Sequence, residues 1–302
     1  MTSKNERNHS RLREIGPISP EKMGPIWADD LYSHERTTDR LPMQQIANDG
    51  LPYFQFESFN GGTLHAVFTR LGGVSAPPFA SLNMSSSVAD AADHLRQNRQ
   101  RAYGAFGYAT ETLVHAHLVH GADVARVTSA QNGQVAASVD GLITDEPGCG
   151  LAMNFADCAP ILLWDPVRGA VGLGHAGWQG TVKDLPGAMV RAMMAAFGSE
   201  PETLIAGIGP CIGPCCYEVG EPVISAVWAA FEEPEALLPA QPNGPRPHFD
   251  LPAANVKNLR RAGVRQVAWG GICTACRTDL FFSHRAEKGK TGRFGVLLAL
   301  RS

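Results

Sequence analysis

No stretch of the chain approaches the roughly 18 consecutive apolar residues that would span a bilayer, so a transmembrane helix is not expected. A basic excess is missing too: 26 Lys and Arg stand against 29 Asp and Glu, a net charge of −3. That balance leaves no electrostatic footprint for DNA or RNA. It does not exclude an anionic small molecule, because a few arginines in a cleft can hold one. The charged opening, Met1–Gly16, is followed by no apolar segment and does not read as a secretory signal. Cysteine is sparse and odd in number, seven in 302 residues. Without an export signal, disulfides are a poor default, and thiols or metal ligands in a reducing cytoplasm are expected. The chain also has no HExxH, and its one CxxC, Cys273–Cys276, has no second CxxC to pair with.

What is present is a chain 44% hydrophobic and 18% charged, ample for a sizeable core. Residues 1–50 are rich in charge, Pro, Ser and Thr without sustained periodicity, and read as a mobile extension. Residues 51–302 read as one α/β domain built on a mixed sheet. Strands are expected at His65–Arg70, Gly141–Asp145, Leu151–Trp164, Ala170–Leu173, Leu204–Ile208, Gln266–Ile272 and Phe294–Leu300. Thr112–Val127 is β-branched and apolar but broken at Gly121, and reads as one bent strand or two. Helices are expected near Val88–Tyr103, Thr181–Phe197, Glu221–Phe231 and Ala253–Ala262.

Three segments put a ligand-type side chain at the end of an expected strand, beside a Gly or Pro. They are Val119-His120-Gly121-Ala122-Asp123, Ala156-Asp157-Cys158-Ala159-Pro160 and Gly174-His175-Ala176-Gly177-Trp178. Strand ends are where α/β sheets build sites. Two imidazoles and a thiolate suit zinc, and three protein ligands leave the fourth tetrahedral position open, as in catalytic sites. Spacing alone leaves the plainer readings open: a buried thiol acting as a small hydrophobe, and histidines with ordinary structural roles.

The sequence resembles the YfiH-like family, also called the laccase-domain or multicopper polyphenol oxidase family. The likeness runs from about Phe68 to Leu300. It is carried by those three segments, by Phe68–Ser75 (FTRLGGVS) with Ser81–Ser85 (SLNMS), and by Asp140–Thr144 (DGLIT). Ile208–Tyr217 (IGPCIGPCCY) and Phe281–Arg285 (FFSHR) with Thr291–Arg293 (TGR) complete it. Family members include bacterial purine nucleoside phosphorylases and the peptidoglycan editing factor. The resemblance implies a mixed-sheet α/β sandwich akin to cytotoxic necrotizing factor-type deamidases, with zinc held by His120, Cys158 and His175. It further implies phosphorolysis of adenosine, inosine, guanosine and methylthioadenosine, with an adenosine deaminase activity. The family's common FFSYRR reads Phe281-Phe282-Ser283-His284-Arg285-Ala286 here, so a contact made by the second arginine in relatives is in doubt.

Phosphorolysis needs a bound phosphate held against a cation-like C1′. Arg70, beside the Gly72-Gly73 turn, is the first phosphate candidate, followed by Arg285 and Arg293. Asn83 is a candidate for the ribose or base. Asp157 is a candidate acid/base for deamination, although strand alternation points it away from Cys158. Two alternatives follow from the same residues. Cys158 could act as the nucleophile of an amidase working on cell-wall precursors, with His120 or His175 as its base. A copper-dependent polyphenol oxidase is less well supported: the chain has 10 histidines and one HxH, His115-Ala116-His117, and no histidine close to Cys158 in sequence. Copper could still occupy N/S donors, since it outranks zinc on them. Cys211, Cys215 and Cys216 with Cys273 and Cys276 could form a second zinc site, but the resemblance already accounts for the Gly/Pro-rich turn, and ordinary thiols are expected there.

Overall fold

The computed structural model describes residues 43–48, 50–240, 244 and 246–301. The expected extension falls mostly outside these residues. Met43–Asn48, six residues of it, instead form strand β1, paired along its length with β2 (Leu51–Phe56). The folded unit therefore begins before Leu51.

Two mixed sheets are stacked. The first runs β1, β2, β3 (Thr63–Phe68), β13 (Phe294–Leu300), β8 (Gly150–Phe155), β4 (Leu113–Ala116), β6 (Val135–Ala136). The second runs β12 (Gln266–Trp269), β11 (Ile205–Ile208), β9 (Ala159–Asp165), β10 (Ala170–Ala176), β7 (Gly141–Thr144), β5 (Val124–Arg126). Each combines antiparallel and parallel pairs: β13–β8 is antiparallel and β8–β4 parallel, while β9–β10 is antiparallel and β7–β5 parallel.

Alternation along the strands builds the layers. Met153 and Phe155 of β8, Val296 and Leu298 of β13, Leu162 of β9 and Leu173 of β10 meet between the sheets. The opposite phase of β9, Ala159, Ile161 and Leu163, shares a core with α3 (Leu185–Phe197), with Val227 of α4 (Glu221–Ala230) and with α5 (Leu251–Arg261). On the outer face of the first sheet, Ala102 and Tyr103 of α1 (Ala92–Gly104) pack on Ala66, Phe68 and Leu297. The result is four layers, helix, sheet, sheet, helix, the mixed α/β sandwich expected.

Two expected segments divide, for a shared reason. Thr112–Val127 becomes β4 in one sheet and β5 in the other, and Leu151–Trp164 becomes β8 and β9 in the same way. At each crossing the backbone turns through a positive φ, 57° at His120 and 85° at Asp157. The helix expected from Thr181 also divides, into α2 (Trp178–Val182) and α3. Asp184 adopts φ 62° between them and caps α3 by accepting from the Gly187 amide.

Met43 is 4% exposed and belongs to the inter-sheet core. Met43→Ala is expected to cost about 2–4 kcal/mol, the usual range for truncating a buried Met, read by chemical denaturation. An unchanged midpoint would show that β1 is not docked in solution.

Candidate metal and substrate site

The two sheet crossings and the end of β10 converge. His120 lies in the β4–β5 crossing, Cys158 at the β8–β9 crossing, and His175 one residue before the end of β10. Val171 and Leu173 share the phase of His175 and point between the sheets, so its ring enters the same layer, against Phe155 at 5.3 Å between centroids. The ligand atoms of His120, Cys158 and His175 all lie within 4.8 Å of one another. The imidazoles meet edge to face, 5.2 Å apart. His120 is exposed, Cys158 half-buried and His175 buried, so the trio opens on one side.

Asp140, the residue before β7, organises the trio. Its carboxylate is wholly buried and accepts from three consecutive amides, Val119 at 3.1 Å, His120 at 3.0 Å and Gly121 at 2.7 Å. Its main-chain oxygen accepts from the His175 amide at 2.8 Å. The His175 ring Nδ1 lies 3.4 Å from Asp140 Oδ1, an ion-pair contact longer than a well-formed hydrogen bond. With Nδ1 turned to the carboxylate, Nε2 is the nitrogen left for the site, the carboxylate–histidine arrangement that orients metal ligands. Burial pushes the Asp140 carboxyl up, but the His175 contact and the donating amides outweigh it and hold the pKa at about 2.

The same competition sets the other two groups. Burial raises the Cys158 thiol, and the adjacent His175 with hydrogen bonds from both imidazoles brings it down to about 6. Burial lowers His175, and Cys158 with Asp140 raises it to about 9. Two imidazoles and a thiol that ionises readily are a donor set fit for a soft or borderline divalent cation. Gly177 is required next to them: a Cβ there would stand 2.9 Å from Cys158 Sγ and 3.3 Å from His120 Cδ2.

A cavity of about 960 Å³ opens from the trio. Its lining includes Arg99, Arg285 and Arg293, two of the three expected from sequence. Among the described residues, none of these three arginines lies within ion-pair distance of a carboxylate. Arg285 is anchored by donating through Nη1 to the Glu218 carbonyl at 2.8 Å, with its guanidinium 5.0 Å over the Tyr217 ring. Arg293 donates through Nη1 to the Thr291 and Gly292 carbonyls, and burial draws its pKa below the usual value. Ser85–Ser87, His115 and Asn154 also line the cavity. His115 Nε2 and Asn154 Oδ1 are buried without a hydrogen-bond partner. Burial, with Arg99 nearby, lowers the His115 pKa to about 4, so it is a neutral imidazole at pH 7.

Two sequence candidates lie elsewhere. Arg70 does not line the cavity; it donates to the Ala80 and Thr278 carbonyls and pairs with Glu287 at 3.0 Å, over the Phe282 ring. Its guanidinium ties these loops together. Asn83 is fully buried and spends its amide on Ser85, Asp90 and the Arg293 main chain. Asp157 lines the cavity, yet its carboxylate accepts from Thr274 Oγ1 and the Arg285 amide, both at 2.7 Å, which fits a structural role. Arg99, His115 and Asn154 were not legible as site residues. Arg99 sits on an amphipathic helix like any solvated arginine, and the other two occupy ordinary strand positions.

Residues 64–301 match the model of the family described as multi-copper polyphenol oxidoreductase laccase. The chain belongs to this family. It is 39% identical over 250 residues to the purine nucleoside phosphorylase YlmD of Geobacillus stearothermophilus, covering 80% of this chain and 91% of that protein. The purine nucleoside phosphorylase YfiH of Escherichia coli is 33% identical over 232 residues, 77% of this chain and 91% of that protein. The crystal structure of YlmD from Geobacillus stearothermophilus aligns with a TM-score of 0.81 at 37% identity, covering 87% of this chain and all of that one, 100%. Membership of a laccase-like family implies metal binding, and the His120, Cys158, His175 trio is a place for it. Among the described residues, His115 and His117 join no group of three or more metal-ligand side chains. No helix among the described residues is long and apolar enough to cross a membrane.

Asp140→Asn keeps the shape but loses the charge and turns an amide NH₂ toward one of the three donors. It is expected to weaken metal affinity about 10- to 100-fold, measured by competition with a chromophoric chelator. Gly177→Ala is expected to lose the metal as well, because neither neighbouring ligand can withdraw. Wild-type affinity in both variants would remove Asp140 and Gly177 from the site's construction.

Proposed function

We propose that the chain is a metal-dependent purine nucleoside phosphorylase. The substrates are adenosine, inosine, guanosine and methylthioadenosine with phosphate, and an adenosine deaminase activity accompanies the main reaction. One observation carries the reading: the cavity lining holds the His120, Cys158, His175 trio and three arginines that have no carboxylate partner among the described residues, and its volume suits a nucleoside-sized ligand. Guanidinium groups in a low-dielectric cleft favour a phosphate dianion. Two relatives that share about a third or more of their residues with this chain bear the name purine nucleoside phosphorylase.

In the reaction, a phosphate oxygen forms a bond to ribose C1′ as the bond from C1′ to the base breaks. The electron pair goes to the base, which takes up a proton, leaving ribose 1-phosphate and free purine. Arg99, Arg285 and Arg293 hold the phosphate, and the geometry supplies orientation without covalent participation of the protein. The unpartnered His115 Nε2 and Asn154 Oδ1 meet the polar edge of the purine, where an analogue lacking those groups leaves them unsatisfied. His120, Cys158 and His175 are the residues that would hold zinc, and copper is the competing occupant on such donors. A zinc ion held there would supply Lewis acidity and a more acidic water, the chemistry deamination draws on.

A second reading has a specific basis. Cys158 stands between two imidazoles, an arrangement that also serves a nucleophilic thiol. In that reading the chain is an amidase acting on cell-wall precursors: Cys158 Sγ bonds to the amide carbonyl carbon, the C–N bond breaks and the amine leaves with a proton from the adjacent imidazole, and water then hydrolyses the thioester to the carboxylic acid and free thiol.

Chelation separates the two. In the metal-dependent reading, chelation abolishes phosphorolysis, exposes Cys158 to iodoacetamide, and zinc restores turnover. In the thiol reading, chelated protein keeps its activity and iodoacetamide inactivates the untreated enzyme at once. Metal-free protein with full nucleoside turnover contradicts the proposal. Arg293→Ala is expected to raise the KM for phosphate about 10- to 100-fold, corresponding to a charge-assisted hydrogen bond of roughly 1.5–3 kcal/mol, with the KM for nucleoside little changed. An unaltered phosphate KM would remove Arg293 from phosphate binding.

A further inference from the structure

Four of the remaining thiols form a second cluster of soft donors, outside the cavity. The sulfurs of Cys215, Cys216, Cys273 and Cys276 all lie within 4.8 Å of one another. They come from two segments far apart in sequence. The first is the loop after β11, where the Cys216 and Tyr217 amides donate to the Gly213 carbonyl and fold the chain into a tight turn. The second is the loop after β12, where the Arg277 amide donates to the Cys273 carbonyl at 3.1 Å, closing a turn across the CxxC. A parallel bridge between Cys211 and Cys273 aligns the two. The Gly213 amide donates to Cys273 Sγ at 3.3 Å, an N–H to sulfur bond that suits a sulfur carrying negative charge.

The separations distinguish a metal site from a disulfide. Cys276 Sγ is 3.4 Å from both Cys215 Sγ and Cys216 Sγ, so the geometry selects no unique bonding partner. A disulfide needs a single partner at about 2.05 Å. Tetrahedral zinc with Zn–S bonds of about 2.3 Å places its sulfurs about 3.8 Å apart. The four sulfurs, two pairs at 3.4 Å and all within 4.8 Å of one another, lie near that spacing. Four thiolates close the coordination sphere, which is the mark of a structural site, and soft sulfur donors select zinc over harder cations.

We propose that Cys215, Cys216, Cys273 and Cys276 bind a structural zinc ion as a closed tetrathiolate site that fastens together two loops of the cavity wall. Binding releases to solvent the protons still carried by the thiols. The first loop contributes Ile212 and Tyr217 to the cavity, and the second leads to His284 and Arg285. Thr274, between the two cysteines of the CxxC, donates to Asp157 Oδ1 at 2.7 Å, and Asp157 precedes Cys158. The cluster is thus separated from the trio by two residues, Thr274 and Asp157, and the one hydrogen bond between them, without sharing a side chain with it. Ordinary thiols, expected here from the sequence, give way to a site because the fold brings the two segments together.

The test uses the full chain, purified under reducing conditions without chelator. Native mass spectrometry and elemental analysis count zinc in the wild type, in His120→Ala and in Cys273→Ser with Cys276→Ser. The expected counts are two, one and one zinc ions per chain. Cobalt exchanged into His120→Ala should give the intense sulfur-to-cobalt charge transfer and visible bands of tetrahedral thiolate ligation. If the cysteine variant fails to fold, His120→Ala still decides the question. A folded His120→Ala protein that takes up no zinc from a zinc-containing buffer overturns the proposal, as does peptide mapping that finds disulfides among the four cysteines. One zinc in both wild type and His120→Ala, with the cobalt spectrum retained, supports this site and contradicts the His120, Cys158, His175 site instead.

Discussion

The site depends on the buried carboxylate of Asp140. It gathers three successive amides of the β4–β5 crossing and stands against the His175 ring, while its main-chain oxygen holds the His175 amide. A carboxylate wholly out of water is costly unless its lone pairs are used. Here they are used on the segment that must hold His120 in a left-handed conformation, φ 57°. The hydrogen bonds from the three amides offset both the desolvation of the charge and the backbone strain of that turn. Asp157 repeats the device at the other crossing, with a positive φ of its own and a carboxylate that ties Thr274 and the Arg285 amide to Cys158. Each ligand-bearing turn is thus held by an aspartate that itself performs no chemistry in this account.

This arrangement explains why the trio can be assembled from residues 55 positions apart in sequence, from His120 to His175. A chain that crosses from one sheet of a sandwich to the other must expose backbone at the crossing. Two such crossings lie side by side, and β10 ends next to them. Cys158 and His175 stand at strand ends, His120 stands in a turn held by Asp140, and the layer between the sheets packs against the buried face of His175. Precision of that kind suits a site whose donors must converge within the few ångströms a metal allows. The arginines of the cavity sit on loops and on α1, and the Arg285 amide bonds the Asp157 carboxylate beside Cys158.

The trio was legible in the sequence because each member sits beside a Gly or Pro at a strand end, and the family likeness ties the three together. The strand at Phe294–Leu300 was legible to the residue, being a continuous apolar run. Other features were not. Arg70 looked like a phosphate ligand because a Gly-Gly turn follows it; only the fold reveals that Glu287, 217 positions away, claims its guanidinium. Asp140 carried no sign of its role, since its partners are amides of a distant turn. The strand β1 was hidden in a polar stretch whose single deeply buried side chain is Met43. The four-cysteine cluster was visible as two halves, and nothing local says that two loops 60 residues apart meet.

What becomes of the ribose tests the phosphorylase reading most directly. Phosphorus-31 and proton NMR of the same sample, the purified full chain with inosine and inorganic phosphate, follow ribose 1-phosphate by phosphorus and hypoxanthine and free ribose by proton. Ribose 1-phosphate is expected to appear in step with free hypoxanthine, with no free ribose. Hypoxanthine released with free ribose, or no turnover by metal-loaded protein, would contradict that reading.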